Sequence, residues 1–369
     1  MTASPIRPAV PSLLGLELVR FVCALSVLLW HYQHFYVVGQ AHVGFDAGQQ
    51  PGAGWLFPFY GQGWLGVQVF WALSGFIFFW KYADAVREGQ VSAGRFAWLR
   101  FSRLYPLHLL TLLAVLPMVW WYRQQVGQDY VYVHNDLGHF VLQLFLASDW
   151  PGRGEWSFNG PIWSISIEVL AYGVFFALCR LGWTRAWQIA CVIGAAGMVY
   201  ALKLTPHPLV LCLFFFYLGG LTHSLWAAMP RWSPGRQRLA WTAMLLALLA
   251  GTVLVAQGPL RPMFYVALLA PVALLLSLKL VRPRAQRTVH ALTLLGHTTY
   301  ASYLLHFPLQ LLTANLVQGQ VQRLPAAHPA WLLAYLALAF GLAALVYRHI
   351  EAPAQAALRR WGAARPALA

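Results

Sequence analysis

Charge is what this sequence has least of. Only 9% of its 369 residues are Asp, Glu, Lys or Arg, against about 25% in soluble domains. With 60% hydrophobic residues and a mean hydropathy of +0.58, that scarcity excludes a soluble globular fold. Cysteine is scarce too. Cys23, Cys179, Cys191 and Cys212 all lie inside apolar runs, without metal-ligand or disulfide spacing. They read as small buried hydrophobes, and no metal is expected. Also missing are HExxH, GxSxG, Walker and CxxC motifs, internal repeats, low-complexity tracts and any RNA- or DNA-binding motif. The net charge of +15 therefore implies no nucleic acid. It is accounted for by basic loops facing the anionic inner leaflet of a lipid bilayer. A cleavable signal is not expected, because the first apolar run is too long for a signal core and lacks a small-residue cleavage site.

What is present is a series of apolar runs, near 13–37, 62–80, 104–122, 161–180, 186–203, 208–228, 239–257, 263–281, 294–317 and 329–348. Each is long enough to cross a hydrocarbon core. A further run, 137–148, is too short to cross and reads as re-entrant or interfacial. The 18 Trp residues and 15% aromatic content fit a chain with two membrane interfaces. Ten crossings with a cytoplasmic N-terminus put 19 of the 25 basic residues inside, as the positive-inside rule asks. Were 137–148 to cross as well, most later basic residues would face outward. The prediction is an all-α polytopic membrane protein of about ten transmembrane helices, both termini cytoplasmic. It divides into an N-terminal segment 1–12, a membrane domain 13–352 and a cytoplasmic tail 353–369.

Ionisable groups inside a bilayer are costly and default to functional candidates. Arg20 and His31 are eleven residues apart, so they share one helix face with a rise of about 16 Å between them. Glu17 precedes Arg20 by three residues and can pair with it. The alternative is interfacial: Arg20 snorkels and His31 simply ends the helix. His34, a turn further on, reads as interfacial. In "RFSRLYP", Arg100 and Arg103 sit one turn apart and can converge on one anion, or merely anchor the helix. Glu168, in "PIWSISIEVLAYG", is a lone membrane carboxylate with Trp163, Ser164, Ser166 and Tyr172 nearby. Gly66, Ser74 and Gly75 in "GVQVFWALSGF" favour close helix packing. Tyr300, Tyr303 and His306 in "GHTTYASYLLHFP" follow one another at three-residue spacing along one face. Buried Arg, Glu and His also suit a proton-coupled transporter or flippase, though no repeat symmetry or paired broken helices are visible.

Taken in order, these motifs resemble the acyltransferase family 3, bacterial integral-membrane acyltransferases that modify cell-envelope glycans. The resemblance spans about residues 13–352. It rests on the Arg20/His31 pair, "GVQVFWALSGF", Arg100 and Arg103 with "LYP", "WSISIE", "YASYLLHFP" and "RHIEAP". One departure is Gln68, where the family often has an acid. No fused esterase-like domain is seen, which suggests a stand-alone enzyme. The resemblance implies transfer of an acyl group, usually acetyl, from cytoplasmic acyl-CoA to a polysaccharide or glycolipid hydroxyl on the outer face of the inner membrane. Arg100 and Arg103 would hold the CoA phosphates and Arg20 the region near the thioester. His31 would be the general base. Glu168 or Glu17 would orient its imidazole or hold the acceptor, with Trp163, Ser166, Tyr303 and His306 about the acceptor.

Overall fold

The computed structural model describes residues 13–364. The predicted N-terminal segment 1–12 and the last five residues of the predicted tail lie outside the described residues. The described chain is almost wholly helical: α1 (Leu14–Trp30), α2 (Ala53–Gln62), α3 (Gly66–Arg87), α4 (Ala93–Val126), α5 (Leu137–Leu144), α6 (Trp163–Arg180), α7 (Ala186–Ala201), α8 (Leu209–Ala228), α9 (Pro234–Ala256), α10 (Pro262–Leu280), α11 (Gln286–Leu316), α12 (Pro329–Val346) and α13 (Ala352–Ala364). The one sheet among the described residues is a two-stranded hairpin, β1 (Val37–Val38) against β2 (Ala41–His42).

Local chemistry fixes several helix ends. Ser92 and Ser233 accept from the backbone N–H groups three residues on, supplying donors with the partner a first turn lacks. Pro234, Pro262 and Pro329 open their helices, where a missing N–H costs nothing. Gly127 closes α4 with φ 78°, a left-handed conformation that suits a residue without Cβ.

Among the described residues, eight helical stretches are long and apolar enough to cross a membrane. The other two runs counted from the sequence are α7 and α11. The first has only 16 residues. The second has 31, but it buries Thr298, Ser302, His306, Gln310 and Asn315. The first four recur every four residues and so form one polar stripe. That stripe is why α11 looks less apolar than its neighbours: it faces the protein interior rather than lipid. The segment predicted to be too short to cross contains the eight-residue α5, only about 12 Å long. The hairpin and helix α13 were not predicted, and neither were two further features. Helix α2 precedes α3, and α4 starts eleven residues earlier than its apolar run.

Close approaches hold the bundle together. Gly75 of α3 lies against the Phe216 carbonyl of α8, and Gly219 of α8 against the Ala72 carbonyl of α3. A Cβ at either position would collide with backbone, so the small residues are there for helix packing. Helix α1 is seated the same way, with Gly15 on Ser277, Gly66 on Cys23 and Gly296 on Glu17. Cross-contacts alternate between two faces. On one, His207 meets Trp150 and Tyr122 meets Gly39. On the other, Arg180 meets Val86 and Tyr347 meets His297. Both described chain ends belong to the second face.

Candidate active site

Helix α1 carries the first polar groups. Arg20 Nη1 donates to both Glu17 oxygens, at 3.0 and 2.9 Å. Glu17 is thereby committed to Arg20 and packs on Gly296; it does not line the cavity described below. At Trp30 the α-helix tightens into three-residue turns over His31–Tyr36. This tightening puts His31 and His34 on the same side.

His31 Nδ1 lies 2.9 Å from the Val27 carbonyl. A carbonyl only accepts, so in the neutral ring Nδ1 bears the proton and Nε2 keeps a lone pair. His306 is bound alike, Nδ1 to the Tyr303 carbonyl at 2.7 Å, and its buried Nε2 has no partner. His34 Nδ1 donates to Gln310 Oε1 at 3.1 Å, while Gln310 Nε2 donates to the His31 carbonyl at 2.9 Å. The His31 ring centroid is 4.7 Å from that of His306 and 5.0 Å from that of His34. His34, expected at the interface, is instead buried in this cluster, because the tighter turn swings it inward to Gln310. The expectation that Glu168 or Glu17 orients His31 is not met. Neither makes a hydrogen bond or ion pair with it, and the Val27 carbonyl does that work.

A cavity of about 170 Å³ opens between α1, α3, α4, α6 and α11. Arg20, Arg100, Arg103, Glu168, Ser74, Ser164 and Tyr303 are among its lining residues. The two arginines of "RFSR" diverge. Arg103 ion-pairs with Glu351, which is 1% exposed. Arg100 donates to Tyr82 Oη at 2.6 Å and lies over the Phe78 and Tyr82 rings. Glu168 accepts from Tyr172 Oη at 2.7 Å. Ser164 and Tyr303 share a 2.8 Å hydrogen bond, and Tyr303 Oη donates to the Pro161 carbonyl at 3.0 Å. Tyr303 links the two regions, since His306 is one helical turn further along α11 and touches His31. Pro308 helps to fix that turn. Lacking an N–H, it leaves the Leu304 carbonyl without a helical donor, and Asn159 Nδ2 supplies one at 2.9 Å.

Two expected acceptor residues stand elsewhere. Ser166 Oγ accepts from the Asp149 backbone N–H at 3.0 Å, and the Ser166 carbonyl accepts from Trp150 Nε1 at 2.9 Å. It ties down a loop. Trp163 stacks on Trp156, outside the cavity. Burial pushes the Asp149 carboxyl up, against one N–H from Gly154. Gln68 turns its amide nitrogen to the Trp64 and Leu65 carbonyls, 3.2 and 3.1 Å away. Both of those neighbours are acceptors, which an amide N–H satisfies.

Sequence reasoning missed Glu351, His34 and Gln310. Glu351 stands in the "RHIEAP" motif just past the last apolar run, which was its available signal. Gln310 had none beyond lying four residues after His306.

Known proteins resemble this chain in sequence. The chain is 27% identical to the acyltransferase MdmB of Streptomyces mycarofaciens over 384 aligned positions, covering 95% of this chain and 92% of that one. It is 32% identical over 97 residues to protein 2 in the picA locus of Rhizobium radiobacter, covering 26% of this chain and 40% of that one. No solved structure matches it significantly. An acyltransferase domain model matches residues 13–348, and the chain belongs to the acyltransferase family 3, as a multi-pass membrane acyltransferase.

Proposed function

We propose that this acyltransferase moves an acetyl group from cytoplasmic acetyl-CoA to a hydroxyl of an envelope polysaccharide or glycolipid on the far side of the bacterial inner membrane. The observation that carries the proposal is the order of groups along one interior: arginines at one end, an imidazole with a free Nε2 at the other, and Tyr303 and His306 between. The arginine face, which bears both described chain ends, is assigned to the cytoplasm, where CoA thioesters are made.

The chemistry follows from the atoms available. The acceptor hydroxyl gives its proton to His31 Nε2 as its oxygen attacks the thioester carbon. The C–S bond breaks, the acyl–oxygen bond remains, and the departing thiolate takes the proton back from the imidazolium. Protons and charge balance over the cycle, and the histidine is restored. Among the described residues, no carboxylate pairs with His31 to stabilise the imidazolium. That favours a short-lived charge handed directly to the thiolate. Arg20 and Arg100 face the donor, and Ser164 and Tyr303 offer hydroxyls along its path.

The test uses the purified protein in nanodiscs with radiolabelled acetyl-CoA and isolated envelope glycans, beside mass spectrometry of glycans from a deletion strain. The expected result is label on glycan, and in the deletion strain glycans lighter by one acetyl per modified unit. Unlabelled and unchanged glycans would reject this acceptor class.

A further inference from the structure

A second cavity, of about 500 Å³, shares no lining residue with the first. Its volume falls in the range of small-molecule sites, about 300–1,000 Å³. Two segments far apart in sequence wall it. One is the tightened turn His31–Tyr36 with the hairpin that follows, supplying Tyr36 and Val43. The other is the connection between α11 and α12, supplying Gln322, Pro325 and His328 among others. Tyr32 Oη, in the turn, donates to the Ala326 carbonyl at 2.8 Å. The Val43 N–H donates to the Tyr36 carbonyl at 2.7 Å. Both walls are thus fixed to the short helix that carries His31 and His34, on the face that bears Gly39.

The chemistry of the lining is specific. Among the described residues, no Asp, Glu, Lys or Arg contributes to it. An ionic ligand would find no counter-charge there, which sets aside both a phosphorylated donor and an anionic headgroup. Tyr36 Oη is buried and has no hydrogen-bond partner among the described residues, a costly state unless a ligand supplies one. His328 Nδ1 accepts from the Ala330 N–H at 3.2 Å, so the neutral ring presents Nε2–H as a donor. Gln322 is exposed, and its amide can both donate and accept. Val43 and Pro325 add apolar surface. A sugar unit has hydroxyls around its rim and C–H groups on its faces, and so answers both kinds of wall. A hydrocarbon chain would leave the Tyr36 hydroxyl unmet.

We propose that this cavity is an acceptor subsite, which binds a neutral sugar unit beside the one that is acylated. The proposal rests on the glycan-acceptor reading above. Tyr36 lies five residues beyond His31 in a helix of three-residue turns, about 10 Å along its axis. Reacting atoms must stand about 3–3.5 Å apart, so the sugar in this cavity is not the one that reacts. It holds the glycan while a neighbouring unit reaches His31 Nε2.

The probes are single-unit and multi-unit fragments of envelope glycan from a deletion strain. They are offered with radiolabelled acetyl-CoA to the full-length protein in nanodiscs. Ala327→Trp fills the cavity from an exposed lining position. Tyr36→Phe removes only the hydroxyl. Arg323→Gln, next to the cavity in sequence but not lining it, is the control. For the multi-unit fragment, the acceptor KM should rise about tenfold in Ala327→Trp and severalfold in Tyr36→Phe, with kcat and the donor KM unchanged, as for binding energy that is uniform along the reaction. For the single-unit fragment both variants should stay within about twofold of wild type, and Arg323→Gln should do so for either fragment. An unchanged KM for the multi-unit fragment in both variants overturns the proposal and leaves the glycan reading standing. So does an equal loss on both fragments, or one matched by Arg323→Gln. Should Ala327→Trp fail to fold, Tyr36→Phe carries the decision. If wild type labels neither fragment, the glycan reading itself falls and takes the proposal with it.

Discussion

The arginine end and the histidine end of the interior solve the problem of buried polarity differently. At the arginine end, Arg20 and Arg103 each have a carboxylate, and Glu168 shares the cavity. At the histidine end no carboxylate takes part among the described residues. His31, His34 and His306 are each tied through Nδ1 to a neutral acceptor and packed ring on ring. A permanent cation near a membrane core needs a counter-charge or an anionic ligand. A neutral imidazole needs only one acceptor to fix its tautomer, and the other nitrogen remains free for chemistry. The arginine end is thus suited to holding charge and the histidine end to moving a proton.

The largest test of this contrast is His31→Gln. It keeps a polar side chain but removes the base, and acyl transfer should fall by about 10²–10⁴-fold. CoA affinity should not change, because the loss sits at the other end. Transfer assays beside calorimetry read both quantities, and a matching drop in affinity would merge two ends held here to be separate.

The next test divides the two arginines of "RFSR". Arg103→Gln leaves Glu351 buried without its partner, which should lower thermal stability by an amount on the order of 3 kcal/mol. Replacing both, Arg103→Leu with Glu351→Leu, should recover most of it. Arg100→Gln should instead leave the melting temperature in place and weaken CoA binding by about tenfold. Identical behaviour of the two variants would restore the simpler idea that both residues only anchor a helix.

Gln310→Leu probes the histidine end without touching a ring. It removes the acceptor of His34 and the donor to the His31 carbonyl, so kcat should drop by about tenfold with the donor KM unchanged. A rise in donor KM alone would show that the glutamine acts elsewhere.

The smallest effects belong to the loop tied by Ser166. Ser166→Ala should cost about 1 kcal/mol of stability and leave transfer within about twofold. Asp149 sits in the same loop with its carboxyl pushed up by burial. Its folded form favours the proton, so wild type loses stability relative to Asp149→Asn as pH rises through the carboxylate range, from about 4 upward. The melting temperatures of the two should converge below that range. A gap that widens on acidification would mean the carboxylate is stabilised in the fold instead.

Much of this was legible in the primary structure, for identifiable reasons. Hydrophobic runs mark crossing helices because lipid leaves the backbone few alternatives. The Glu17–Arg20 pair needs only helical spacing, and the close-packing role of Gly75 follows from its lack of a Cβ. The separation of Arg20 and His31 along α1 likewise depends on local periodicity alone.

Other features depended on helices distant in sequence meeting in space. His34 joined His31 through a tightened turn and a glutamine 276 residues away. Arg103 found its acid 248 residues on, which made it unlike its twin Arg100. Ser166 and Trp163, near neighbours of Glu168 in sequence, turned away from the cavity because a helix faces all sides and only one side meets it. The sequence by itself determined the membrane class, the helical runs and the family. The tertiary structure decided which polar groups are partnered and which are left free to act, since partnership inside a membrane depends on what the opposing helix presents.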